Sequence, residues 1–183
     1  LASPVDEFEM EKMLELALNY SSVFAIRYPR GNIAKMFDAF PKKNFEVGEG
    51  EVLFDGEDVT LMALGSMVEV ACKARALLEK EGVSARVVNM RFARPLDGQL
   101  ILDSAQKTKC LFTLEEHVGT GGFGSKVLEF MEEKNLRQAP IKRFALPDEF
   151  IEHGSREVQL DEFGLSPGKI SASVLKELSR IAK

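Results

Sequence analysis

Apolar positions along this chain follow two periods that alternate. After Ser3-Pro4, acidic Asp6, Glu7 and Glu9 precede Met10, Met13, Leu14 and Ala17, which recur at helical spacing. Acidic residues suit the dipole of a first turn, so a helix is predicted that ends near Asn19-Tyr20. Val23, Phe24 and Ile26 then form a short apolar run, the pattern of a buried strand reaching Tyr28. Residues 32–47 lack a clean period: Lys35, Pro41, Lys42 and Lys43 interrupt Met36, Phe37 and Phe40, as in a linker that packs against something.

Regular alternation begins beyond residue 48. Glu51–Phe54 and Asp58–Leu64 flank Asp55-Gly56, a strong turn signal, and read as a hairpin. Ser66 and Glu69 have capping-box spacing ahead of a helix with Met67, Val70, Ala71, Ala74, Leu77 and Leu78 on its core stripe. Gly82 ends that helix, and Ser84–Asn89 is the next strand. Asp97 is placed to cap a short helix through Leu100, Ile101 and Ala105. Cys110–Leu114 is a strand, followed by a helix carrying Phe123, Val127, Leu128, Phe130 and Met131. Ile141–Leu146 is the last strand, stopped by Pro147. One helix runs from Ser155 to Gly164, and Ser166-Pro167 restarts another with Ile170, Val174, Leu175, Leu178 and Ile181 inward. Strand–helix alternation predicts an α/β fold: a mainly parallel sheet, helices on both faces, and Glu51–Phe54 as an antiparallel edge strand. Loops after Leu64, Asn89, Leu114 and Leu146 then gather along one rim.

Composition narrows the function. The 183 residues are 45% hydrophobic and 29% charged, with net charge −5. That balance argues against non-specific nucleic-acid binding and against an anionic membrane surface. No apolar run reaches membrane-spanning length, and no N-terminal signal pattern is present. Cys72 and Cys110 form no CxxC, and are expected as buried thiols of a reducing, cytoplasmic compartment. The chain starts at Leu1 and enters a helix almost at once, so it is read as a piece of a longer protein.

Candidate chemistry concentrates at the strand ends. Arg27-Tyr28-Pro29-Arg30-Gly31-Asn32 presents two guanidinium groups on a loop stiffened by Pro29 and turned by Gly31. Such arginines either fix the loop by an ion pair or grip a phosphate or carboxylate. Gly119-x-Gly121-x-x-Gly124 matches the dinucleotide fingerprint, but it comes late in the chain and lacks a cleanly placed acidic partner. A packing turn is the favoured reading. Glu115, Glu116 and His117 read as a polar rim or subunit contact. With His153 the only other histidine, no metal-ligand spacing exists.

Four stretches together carry a resemblance: Arg27–Asn32, Asn89–Asp97, Glu115–Gly124 and Leu146–Gly154, in an order that spans essentially the whole chain. The set resembles the 1-deoxy-D-xylulose-5-phosphate synthase family, thiamine-diphosphate enzymes of the transketolase superfamily. The resemblance implies that residues 1–31 end a pyrimidine-binding domain, 32–47 are a linker, and 48–183 are the transketolase C-terminal domain. It implies a transferase that condenses pyruvate with glyceraldehyde 3-phosphate and releases carbon dioxide, supplying isoprenoid, thiamine and pyridoxal precursors. Thiamine diphosphate and Mg2+ would be held by upstream domains, as would the catalytic residues. The fragment is then expected to bind neither and to be inactive alone, within a homodimer when whole. Arg30 would hold the aldehyde's phosphate, and Arg27 would be scaffold. Transketolase, the β subunit of a 2-oxoacid dehydrogenase and a non-catalytic assembly module are the alternatives.

Overall fold

A computed structural model describes residues 1–136 and 139–181. Five strands form one sheet: β1 (Glu51–Phe54), β2 (Val59–Ala63), β3 (Ala85–Asn89), β4 (Cys110–Val118) and β5 (Ile141–Leu146), in the order β1-β3-β2-β4-β5. All pairs are parallel except β1 against β3, so β1 is the expected antiparallel edge. Six helices accompany the strands: α1 (Glu7–Leu18), α2 (Met67–Lys80), α3 (Gly98–Lys107), α4 (Phe123–Glu133), α5 (Arg156–Glu162) and α6 (Pro167–Ile181). None is long and apolar enough, among the described residues, to cross a membrane.

Alternate residues of each strand serve opposite layers. Leu61, Ala63, Val87, Phe112 and Leu114 pack with Ala71, Leu78, Leu160, Ile170 and Val174, which covers one face with α2, α5 and α6. Met62, Val88 and Leu111 meet Ile101, Phe123, Val127 and Met131 on the other, under α3 and α4. Strands buried on both faces explain why β2 and β3 contain no exposed position.

The expected hairpin does not form: β1 pairs with β3, and β2 lies on the far side of β3. Asp55-Gly56 still turns the chain, but past the start of β3. A Cβ on Gly56 would stand 2.4 Å from the backbone nitrogen of Arg86. Glycine there lets the chain pass tightly under β3 instead of folding back along β1. The capping box is also absent. Ser66 already has helical φ and ψ, so its hydroxyl cannot reach back to the first turn; it donates instead to Glu116. Glu69 pairs with Lys73. Asp97 does cap α3, accepting from Leu100 N, and also takes Gly50 N.

The N-terminal segment differs most from expectation. α1 begins at Glu7, with Asp6 as its cap. Glu9 and Met13 are its buried residues, while Leu14 of the predicted stripe is 51% exposed. No strand forms at 23–28. Only Ile26 pairs, through Ala2, which bridges it to Phe92. With so short a neighbour, Val23 stays 91% exposed. Ala2, Met13, Phe45 and Phe92 make a third small core that seats this segment on the sheet. Within 32–47, Phe37 is buried against the main core, and Phe40 meets Phe54 edge-on at 5.5 Å.

Candidate functional site at the sheet rim

Parallel strands bring the C-terminal ends of β2, β3, β4 and β5 to one rim, as the alternation implied. Hydrogen bonds stitch that rim: Leu64 N to Leu114 O at 3.1 Å, Met90 N to Ala63 O at 2.9 Å, and Gly119 N to Leu146 O at 3.1 Å. The N-terminal segment lies on it. Ser3 N donates to Arg91 O at 2.8 Å, and Ser3 Oγ donates to the Arg27 carbonyl at 2.8 Å. Gly65 admits Ser3. It has φ +57°, and a Cβ on it would meet the Ser3 hydroxyl.

At the centre of the rim, the glycine-rich turn closes over a carboxylate of its own chain. Glu115 is buried, and its carboxylate accepts from Phe123 N at 2.7 Å and Gly124 N at 2.8 Å. These are orphan donors at the start of α4, where a helix attracts an anion. Glycines make the approach possible. A Cβ on Gly122 would press into both the Glu115 carboxylate and the Val118 carbonyl, and one on Gly124 would press into Thr113 Oγ1. Ser125 Oγ donates to Gly119 O at 2.6 Å, and Arg143 bonds both groups. The fingerprint forms a packing turn, with the amides of Phe123 and Gly124 taken by Glu115. Among the described residues no cluster of three or more His, Cys, Asp or Glu is arranged to hold a metal ion.

Glu116 faces the opposite layer. Arg156 grips it with a two-pronged pair, Nε to Oε1 at 2.7 Å and Nη2 to Oε2 at 2.6 Å, and Ser66 Oγ donates at 2.7 Å. Burial pushes the Glu116 carboxyl up, but these bonds outweigh it and hold the group below the usual carboxylate range. Glu115 moves the other way: burial raises it, and the two amides offset only part of that. His117 is exposed, with Nδ1 3.2 Å from Val118 O. The polar-rim reading fits Glu116 and His117, whereas Glu115 is an internal anchor.

Arg27 is half-buried, and its positive charge acts on both Glu115 and Glu116. Arg30 is exposed and makes no hydrogen bond or ion pair among the described residues, so the loop is not fixed through it. The two arginines are thus unequal: one faces the carboxylate rim, the other solvent. Cys72 and Cys110 are buried free thiols whose burial pushes them up to about 12 and about 11, far from reactivity at neutral pH.

Sequence reasoning missed two groups. Glu115 shares a face with buried Leu111 and Thr113, and this parity was its available signal. Glu9 looked like a dipole residue but is buried against Arg91, whose Nε donates to Glu9 Oε1 at 2.5 Å. Nothing local could have paired residues 82 positions apart.

Comparison with known proteins agrees with this geometry. Residues 48–170 match the family described as transketolase, C-terminal domain. A 1-deoxy-D-xylulose-5-phosphate synthase from Heliobacterium modesticaldum is 42% identical over 179 residues, covering 98% of this chain and 27% of that protein. One from Pelotomaculum thermopropionicum is 42% identical over 182 residues, covering 98% and 28%. The chain thus spans little more than a quarter of these relatives. A solved structure described as a split gene transketolase, inactive β4 tetramer, superposes with TM-score 0.88 at 34% identity, covering 97% of this chain and 57% of that one. Transketolase from Pichia stipitis, at 17% identity and TM-score 0.70, shares the fold. With the family match covering most of the chain, this chain belongs to the family of transketolase C-terminal domains.

Proposed function

We infer that the chain works as the C-terminal part of a 1-deoxy-D-xylulose-5-phosphate synthase. The whole protein would condense pyruvate with glyceraldehyde 3-phosphate and release carbon dioxide, using thiamine diphosphate and Mg2+ held by its upstream domains. The observation that carries this is 42% identity running through both the N-terminal segment and the sheet domain. In this reading residues 1–31 complete a pyrimidine-binding domain, 32–47 link, and 48–183 form the C-terminal domain. Exposed apolar residues in this segment support the division: Leu14, Leu18 and Val23 stand open to solvent. The protein is a cytoplasmic homodimer, and the chain alone is inactive.

Arg30 holds the phosphate of the aldehyde. Its exposure, and the lack of a partner among the described residues, leave the guanidinium fork free for a dianion. In the whole enzyme, Arg30→Ala should lower kcat/KM about ten- to a few-hundred-fold with glyceraldehyde 3-phosphate, since a bond to a charged group contributes roughly 1.5–3 kcal/mol. The loss should be much smaller with unphosphorylated glyceraldehyde, and Arg30→Lys should restore only part. Equal losses with both aldehydes would remove Arg30 from the phosphate site. Selective loss in Arg27→Ala alone would transfer the role to Arg27.

A second reading has the chain as one half of a split transketolase, favoured by its 0.88 superposition on such a protein. Ketol transfer on mixing with a companion chain, without product from pyruvate and glyceraldehyde 3-phosphate, would select it.

A further inference from the structure

The seat of the N-terminal segment is a buried charge cluster, distinct from the rim carboxylates. Glu9 is 3% exposed and Arg91 4%. Around one Glu9 carboxylate converge Arg91 Nε at 2.5 Å, Asn89 Nδ2 at 2.9 Å and Val5 N at 3.0 Å. Arg91 spends its Nη2 on Glu51 at 2.5 Å and lies over the Phe45 ring at 4.2 Å from the centroid. Asn89 Oδ1 accepts from Arg91 N, which fixes Arg91 at φ +52°, a conformation unusual outside glycine. Four separate stretches meet here: the start of α1, the segment around Phe45, β1, and the end of β3 with the loop after it. The rest of the hold on α1 is apolar, with Phe8 and Leu16 partly buried against the small third core. Met13 is its only other buried residue, and its outer leucines touch nothing that covers them.

We propose that Glu9 and Arg91 form a latch that fixes residues 1–27 on the sheet domain and thereby sets where the Arg27–Asn32 loop stands on the rim. Among the described residues, backbone bonds reach the loop after β3 through residues 1–3, as Ser3 N to Arg91 O and Ala93 N to Leu1 O, and those of Ala2 with Ala25 and Arg27 stay within the segment, so α1 itself depends on its side chains. A guanidinium is suited to the hub because one planar group serves two carboxylates from different elements. Removing one partner of a buried pair strands the other in a poor solvent, so the latch is cooperative. The proposal stands whether or not Arg30 binds a phosphate.

Segment-resolved hydrogen exchange on the 183-residue chain tests it. In Arg91→Met, amides of Ala2, Arg27 and α1 should exchange at least about 100-fold faster, while those of β2 and β4 keep their protection. Glu9→Gln, which keeps the shape and leaves Arg91 on Glu51, should accelerate the same amides less. The double variant should exchange more slowly than the two single effects combined, because no charge is then stranded. Lys42→Ala, which breaks the exposed 2.6 Å pair with Asp6, is the control. Acceleration no greater than in that control, equal acceleration across β2 and β4, or simple additivity would each overturn the latch.

Discussion

Glu115 and Glu116 are neighbours in β4, are both largely withdrawn from water, and have opposite fates. Glu115 points into the layer of α3 and α4 and meets only backbone amides; Glu116 points toward α2 and α5 and meets a guanidinium and a hydroxyl. The first is raised from the ordinary carboxylate range and the second is lowered. Two amides at a helix start therefore do not offset burial, whereas an arginine fork does. The comparison also separates two jobs that adjoining acids can do on one rim. Glu115 holds a turn in shape, and Glu116 ties α5 and the start of α2 to the strand between them.

The largest effect should come from removing the internal anchor. Glu115→Ala leaves the amides of Phe123 and Gly124 without their acceptor, at roughly 1–3 kcal/mol for each buried donor. A loss of about 3 kcal/mol in urea unfolding is expected, with the start of α4 losing amide protection first. Gly122→Ala attacks the same contact from the other side. A Cβ 2.5 Å from the Val118 carbonyl must move backbone, so a loss of about 2 kcal/mol is expected, within the range for overpacking. A stability change within error in either variant would mean that the turn does not depend on this carboxylate.

Arg156→Ala should cost less, about 1 kcal/mol, because the pair is partly open to solvent and exposed pairs contribute little even in good geometry. If Arg156→Ala cost as much as Glu115→Ala, the contrast between the two acids would fail. Thermal unfolding of the three variants side by side decides it.

The legible parts of this chain were those where local pattern and tertiary structure agree. Periodicity gave the elements at Val59–Ala63 and Met67–Lys80, because strands buried on both faces are largely apolar and helices between two layers keep one stripe; β4 was expected only over Cys110–Leu114 and runs on to Val118 through Glu115, Glu116 and His117, which no apolar pattern marks. Sheet order is not a local property. The Asp55-Gly56 turn was visible, yet nothing nearby says that β3, formed thirty residues later, inserts between β1 and β2. Ser66 shows the same limit: its spacing to Glu69 is that of a cap, and a carboxylate fifty residues away took its hydroxyl. Buried charges were the hardest to see. Glu9, Arg91 and Glu115 read as surface residues because their partners come from distant stretches or from backbone. The glycines at 122 and 124 were suspected of serving close packing, but their partners, the Glu115 carboxylate and Val118 carbonyl for one and Thr113 and Arg143 for the other, were not legible.

The smallest expected effect is the dependence of stability on pH, and its sign is the sharpest test of the contrast. Because the folded value of Glu115 is raised, the folded chain keeps that proton more tightly than the unfolded chain does. Its contribution is fully present below the unfolded value of about 4.3 and is lost as pH rises through the folded value. Glu116 behaves oppositely. Its folded value is lowered, so its contribution is present above the unfolded value and lost as pH falls through the folded one. Relative to wild type, Glu115→Ala should therefore gain stability as pH rises above about 4.3, while Arg156→Ala should lose the part of the acid-side rise that its guanidinium supplies. The two difference curves should therefore slope in opposite directions. Urea unfolding at half-unit steps from pH 3 to 7 reads both. Difference curves of the same sign would mean that the neighbouring acids share one environment, and the division of the rim into an inner anchor and an outer tie would have to be abandoned.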